Sequence, residues 1–91
     1  MENRPRRDPF KSTKDAVRSV LETYKELTIS EKPAKFTVEG NGRKVVIKIH
    51  EHMTDDGAVV EVIIKSKNQQ SNYLAKDILS NCKYNARLVL A

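Results

Sequence analysis

Few residues in this 91-residue chain have the types and spacing that covalent or metal chemistry needs. His50-Glu51-His52 is the first place to look. Histidines two apart on a strand point the same way, so both imidazoles reach toward one ion, with Glu61, Asp55 or Asp56 as the third ligand. No second ligand cluster accompanies them, and polar residues are ordinary at a strand end, so no metal site is assigned. Asp55-Asp56-Gly57 pairs two carboxylates, but Asp and Gly are also what a tight turn requires. Cys82 falls on a helical apolar stripe and reads as a small core residue. As the only cysteine it permits no intrachain disulfide and no cysteine-rich metal site. No serine or cysteine has an identifiable base, and Gly40-Asn41-Gly42 reads as a hairpin turn, not a strand-to-helix phosphate loop. The expectation is a non-enzyme: no catalytic residue, no metal, no cofactor and no small-molecule substrate.

Binding chemistry is better represented. The 17 basic and 12 acidic residues give a net charge of +5 and a pI near 9.5, a balance that suits polyanionic partners. The N-terminus gathers Arg4, Arg6, Arg7 and Lys11 around Pro5 and Pro9 with almost nothing to bury. Residues 1–11 therefore read as a flexible basic arm, able to lie along phosphates or thread a groove, ahead of one domain over 12–91. No apolar run approaches the ~20 residues of a membrane-spanning helix. With no leader pattern and one cysteine, the expected location is intracellular, in cytoplasm or nucleus.

The elements that would position these charges follow from periodicity. Val17, Val20, Leu21, Tyr24 and Leu27 repeat at helical spacing, with Ser12 as N-cap, so a first helix is expected from Ser12. Pro33 stops it, leaving Thr28–Ala34 as connector. Next comes a meander. Asn41-Gly42 specifies a type I′ hairpin, which pairs Gly40 with Arg43, Val38 with Val45 and Phe36 with Ile47. A second turn at Thr54–Gly57 pairs Met53 with Ala58, Ile49 with Val62 and Ile47 with Ile64. Both registers collect the bulky apolar residues on one face, and a one-residue slip would scatter them. Leu74, Ala75, Ile78, Leu79 and Cys82 define a second helix, opened by Ser71 and stopped by Asn85. Arg87–Ala91 is apolar and β-prone; its composition permits an edge strand, docking on the core, or contact with a partner. The expected class is α+β: a three-stranded antiparallel meander with two helices on one face, in the order α-β-β-β-α, with a short C-terminal strand optional.

The same registers lay out the other face. Lys35, Thr37 and Glu39, then Lys44, Val46, Lys48 and His50, then Glu61, Ile63, Lys65 and Lys67 point away from the helices. Lysines placed opposite one another repel, which a sheet selected for stability alone avoids. Lys35, Lys44, Lys48, Lys65 and Lys67, extended by Arg4, Arg6 and Arg7, form a candidate contact for the phosphates of RNA or DNA. No aromatic side chain lies on this face, which argues for backbone recognition over base stacking. The alternative is a protein interface or homodimer using Val46, Ile63, Leu88, Val89 and Leu90. An anionic membrane surface is the weakest of the three partner classes. The order α-β-β-β-α also occurs in double-stranded-RNA-binding domains, but the last helix, YLAKDILSNCK, lacks their lysine cluster, and element order alone carries no function. No family is assigned.

Overall fold

A computed structural model describes residues 9–82 and 85–91. The elements are α1 (Pro9–Leu21), β1 (Thr28–Lys32), β2 (Lys35–Gly40), β3 (Arg43–Thr54), β4 (Gly57–Ser66), a 3₁₀ turn over Gln69–Ser71, α2 (Asn72–Ser80) and β5 (Ala86–Val89). The class is α+β as expected, but the sheet has five strands in the order β1-β2-β3-β4-β5 instead of three. It is also mixed: β1 to β4 form an antiparallel meander and β5 runs parallel to β4. The β4–α2–β5 unit is thus a crossover, which a parallel pair requires.

The two hairpin registers match the sequence expectation pair for pair, from Gly40↔Arg43 to Phe36↔Ile47 and from Met53↔Ala58 to Ile47↔Ile64. Asn41 and Gly42 take φ of 54° and 77°, the two positive angles a type I′ turn needs. In the second turn the Thr54 hydroxyl donates to the Gly57 carbonyl and accepts from the Asp56 N–H. Phe36, Val38, Val45, Ile47, Ile49, Val62 and Ile64 are all buried. Val17 and Leu21 from α1 and Leu74, Ala75 and Ile78 from α2 complete one apolar cluster with them. Each large apolar side chain buried in this way is worth roughly 1.5–3 kcal/mol, so this shared face is what holds both helices to the sheet.

Five details differ from expectation. Among the described residues the first helix spans Pro9–Leu21, so Pro9–Lys11 are helical and not part of an arm, and Ser12 lies inside the helix and is not its cap. That helix ends at Leu21, and Tyr24 and Leu27 lie in the following turns, bonded through Tyr24 N–H to Leu21 C=O and Leu27 N–H to Tyr24 C=O. The presumed connector contains β1, which returns through the Pro33-Ala34 turn so that Lys32 pairs with Lys35. At the second helix Ser71 makes no capping bond; its hydroxyl accepts from the Lys44 N–H and donates to Asn68 Oδ1, while Asn68 Oδ1 accepts from the Ser71 N–H. That helix stops at Ser80, ahead of Asn85.

Arg18 fastens the first helix to the edge strand. Its guanidinium forks onto both Glu31 carboxylate oxygens at 2.8 Å and onto Asp15 at 2.7 Å, and it sits 6.0 Å from the Phe36 ring centroid. Lys14 reaches the same carboxylate at 3.2 Å. These hydrogen bonds hold the Glu31 carboxyl down at about 2 and push the Arg18 guanidinium up, through Glu31 first and Asp15 second. From the turn after α1 the Tyr24 hydroxyl donates to Asp77 Oδ2 on α2, and desolvation together with that bond raises the phenol to about 12.

Candidate functional site

The helices cover one face of the sheet and leave the other open. Strand alternation from the paired registers assigns the open face: Thr28, Ser30 and Lys32 of β1; Lys35, Thr37 and Glu39 of β2; Lys44, Val46, Lys48, His50 and His52 of β3; Val59, Glu61, Ile63 and Lys65 of β4; Arg87 and Val89 of β5. Lys67 joins them just past the end of β4, where its N–H donates to the Lys44 carbonyl.

All five lysines expected on this face are brought together there. Lys44, Lys48 and Lys67 are exposed, and Lys35 and Lys65 are half-buried. Arg4, Arg6 and Arg7 lie outside the described residues. Two cations join that were not expected. Lys32, on β1, stands directly across from Lys35, which itself stands across from Lys48. Arg87, on β5, stands across from Ile63 in the same row. That row therefore reads Lys32, Lys35, Lys48, Ile63, Arg87, with neighbours about 4.8 Å apart across the strands and rows along the strands about 7 Å apart. The face carries these seven cations against two carboxylates, Glu39 and Glu61. Lys32 had a legible signal, because proline at the first position of a two-residue turn would have paired it with Lys35. Arg87 had none beyond the β-prone tail.

The two apolar residues in the middle of this face are not laid bare. Val46 is only 9% exposed and Ile63 is half-buried, although nothing on the helix side touches this surface. Their neighbours across the strands are Thr37 and Lys65 for Val46, and Lys48 and Arg87 for Ile63. Long basic side chains bury their methylene stems over such residues and keep their charged ends in water. Of the residues expected at a protein interface, Leu88 is half-buried on the helix side, packed against the core, whereas Val89 and Leu90 are 37% and 43% exposed at the sheet edge.

Beyond Ile49 and Val62 the β3–β4 hairpin outruns both neighbours, since β2 ends its support where Ile49 N–H meets Ala34 C=O and β5 where Val62 N–H meets Asn85 C=O. Residues 50–61 form a two-stranded ribbon. It carries Glu51, Asp55, Asp56 and Glu61 and no lysine or arginine. His50 and His52 share a face, as strand alternation requires, with ring centroids 6.2 Å apart and planes inclined by 15°. Among the described residues no three His, Cys, Asp or Glu side chains gather at one point. Cys82 is half-buried against the core cluster. No described helix is long and apolar enough to cross a membrane.

No family model, curated protein or solved structure matches the chain.

Proposed function

We propose that this chain is a small non-enzymatic binding module whose open sheet face engages RNA or DNA through the phosphate backbone. The observation that carries this reading is the row of Lys32, Lys35 and Lys48, three ammonium groups abreast on adjacent strands. Like charges set directly opposite on a sheet destabilise it by a few tenths to about 1 kcal/mol per pair. An anionic ligand relieves that repulsion. Lys44, Lys65, Lys67 and Arg87 widen the cationic field around the row, and Arg4, Arg6 and Arg7 extend it as an arm. With no Phe, Tyr or Trp among the described residues of the face, and its two histidines out at the ribbon, contact runs through phosphate and overall shape more than through stacked bases. The covered state of Val46 and Ile63 favours a solvated, charge-binding surface over an apolar protein interface on this face.

Salt dependence tests the reading. If five lysines each neutralise one phosphate of duplex DNA, log K falls with log salt at a slope of about −4.5, a loss of roughly 500-fold between 50 and 200 mM. Changing Lys44, Lys48 and Lys65 together to Glu removes binding in a filter titration at 50 mM salt while far-UV circular dichroism stays unchanged. Absence of binding by the wild-type chain to duplex DNA, duplex RNA and single strands at that salt overturns the proposal.

A further inference from the structure

β5 forms one margin of the sheet, and its backbone is phased so that a second copy of itself fits there. Val62 N–H donates to Asn85 C=O, so Asn85, Arg87 and Val89 turn their backbone polar groups toward β4. Ala91 keeps the same phase after β4 has ended: its N–H donates to Asn72 Oδ1 at 3.0 Å and its carbonyl accepts from Asn72 Nδ2 at 3.2 Å. The alternate residues, Ala86, Leu88 and Leu90, therefore present their N–H and C=O groups outward. Three such residues, spaced two apart, match their own copies about a two-fold axis through Leu88. Ala86 then faces Leu90 of the second copy and Leu88 faces Leu88, giving six backbone hydrogen bonds in an antiparallel ladder.

The two margins of the sheet differ in just the way this requires. β1, at the other edge, reads Thr-Ile-Ser-Glu-Lys-Pro, with charges and a proline that discourage strand addition. β5 and its continuation read Ala-Arg-Leu-Val-Leu-Ala, with Val89 37% and Leu90 43% exposed and Leu88 half-buried beside them. The two-fold register also places Arg87 opposite Val89 of the second copy, so no like charges meet directly. We propose that the chain dimerises by β5–β5 pairing, forming a continuous ten-stranded sheet. A two-fold axis perpendicular to the sheet keeps like faces on the same side, so both cationic faces become one surface. The pairing stands on backbone phase and the apolar edge alone, and holds whether or not that surface binds nucleic acid.

Such a contact buries on the order of 1,000 Å² in total, at the lower limit for a specific interface, so a weak, concentration-dependent dimer is expected. The test is sedimentation of the full chain from 5 µM to 1 mM, at 150 and 500 mM NaCl. A concentration-dependent dimer is expected, and it tightens at the higher salt because the two copies carry like net charge. Phosphate binding weakens over the same change, which separates the two interactions. Leu90→Pro deletes an outward N–H twice per dimer at a position past the last strand residue, and is expected to weaken dimerisation at least tenfold. Val89→Lys, facing Arg87 of the other copy, weakens it, and Val89→Glu tightens it; thermal melts of the dilute monomers check that each variant is folded. A chain that remains monomeric at 1 mM and 500 mM NaCl overturns the proposal. So does a dimer whose dissociation constant is unmoved by all three substitutions, since that dimer uses another surface.

Discussion

Gly40→Ala tests how the edge strand β1 is seated. Gly40 has φ +157°, and a Cβ built on it lies 2.7 Å from Leu27 Cδ2, 3.2 Å from the Glu26 carbonyl oxygen and 3.4 Å from Leu27 Cα. Leu27 is 8% exposed and leads directly into β1, so the methyl meets the turn that docks the strand. The Cδ2 contact forces the 8%-exposed Leu27 side chain to shift, and the Glu26 carbonyl oxygen must also give by a few tenths of an ångström. Overpacking of this kind costs about 1–3 kcal/mol, with a further 1–2 kcal/mol for a side chain in a backbone region that favours glycine. Gly57→Ala supplies the control: φ is +117° and nothing lies within 4 Å of its Cβ, so only the conformational part applies. Gly40→Ala is thus expected to destabilise by about 2–4 kcal/mol, and Gly57→Ala by about 1 kcal/mol after the entropy recovered from the unfolded chain. For a domain of this size the former corresponds to a melting shift on the order of 10–25 °C. Urea and thermal unfolding followed by circular dichroism measure both. In a Leu27→Ala background the cost of Gly40→Ala should fall by about 1 kcal/mol, because the closest atom is gone. Equal costs for Gly40→Ala and Gly57→Ala, or no coupling to Leu27, would refute the docking of β1 through this contact.

Acid and base limits follow from two side chains. Glu31 has its carboxyl depressed to about 2, so the stability it supplies is present above the ordinary carboxylate pKa and is lost as pH falls from about 4.5 to 2. Glu31→Gln should flatten that part of an acid-unfolding curve, and a curve of unchanged shape would count against the Arg18 fork. Tyr24, raised to about 12, acts in the opposite direction: its contribution is full below pH 10 and is lost as pH rises through 12. Absorbance at 295 nm should show one tyrosine ionising about two pH units late, and Tyr24→Phe should remove that phase. In hydrogen exchange, backbone amides of ribbon residues 50–61 should exchange well ahead of those in residues 45–49 and 62–66 of the same strands, since a two-stranded ribbon without a covering layer has little stability of its own. Equal protection along β3 would contradict this.

The parts of the fold that sequence could supply are those in which one local signal was checked by another. Asn41-Gly42 fixed a turn by backbone angle, and the apolar residues on either side confirmed the register because any slip splits them between faces. β1 had no such check: Thr28–Lys32 holds one apolar residue, Ile29, because an edge strand at a helix-poor margin has little to bury. Its continuation from the first helix was masked by Tyr24 and Leu27, which keep helical spacing yet serve turns, where tertiary packing overrides the pattern. The lysine face was legible as far as the registers reached. Arg87 was missed because its strand is set by long-range parallel pairing with β4, and Lys32 because Pro33 reads as a helix stop as well as the opening of a two-residue turn.

The open face differs from an unfinished core in what it exposes. An unfinished core exposes apolar side chains; here Val46 is 9% exposed with no described helix or strand layered above it. Its cross-strand neighbours are Thr37 and Lys65, and long basic side chains bury their stems over such residues while keeping their charges in water. That arrangement lowers the surface's tendency to stick to apolar partners and raises its electrostatic potential at the same time. The acidic residues are placed elsewhere: Glu51, Asp55 and Asp56 lie out on the ribbon, and Glu31 is occupied by Arg18 and Lys14. Of the carboxylates within the face, Glu39 stands beside Lys44, and Glu61 beside His50 at the base of the ribbon. Thus the row Lys32, Lys35, Lys48 has no carboxylate directly across from any of its members, and the repulsion within it is not offset by a cross-strand partner.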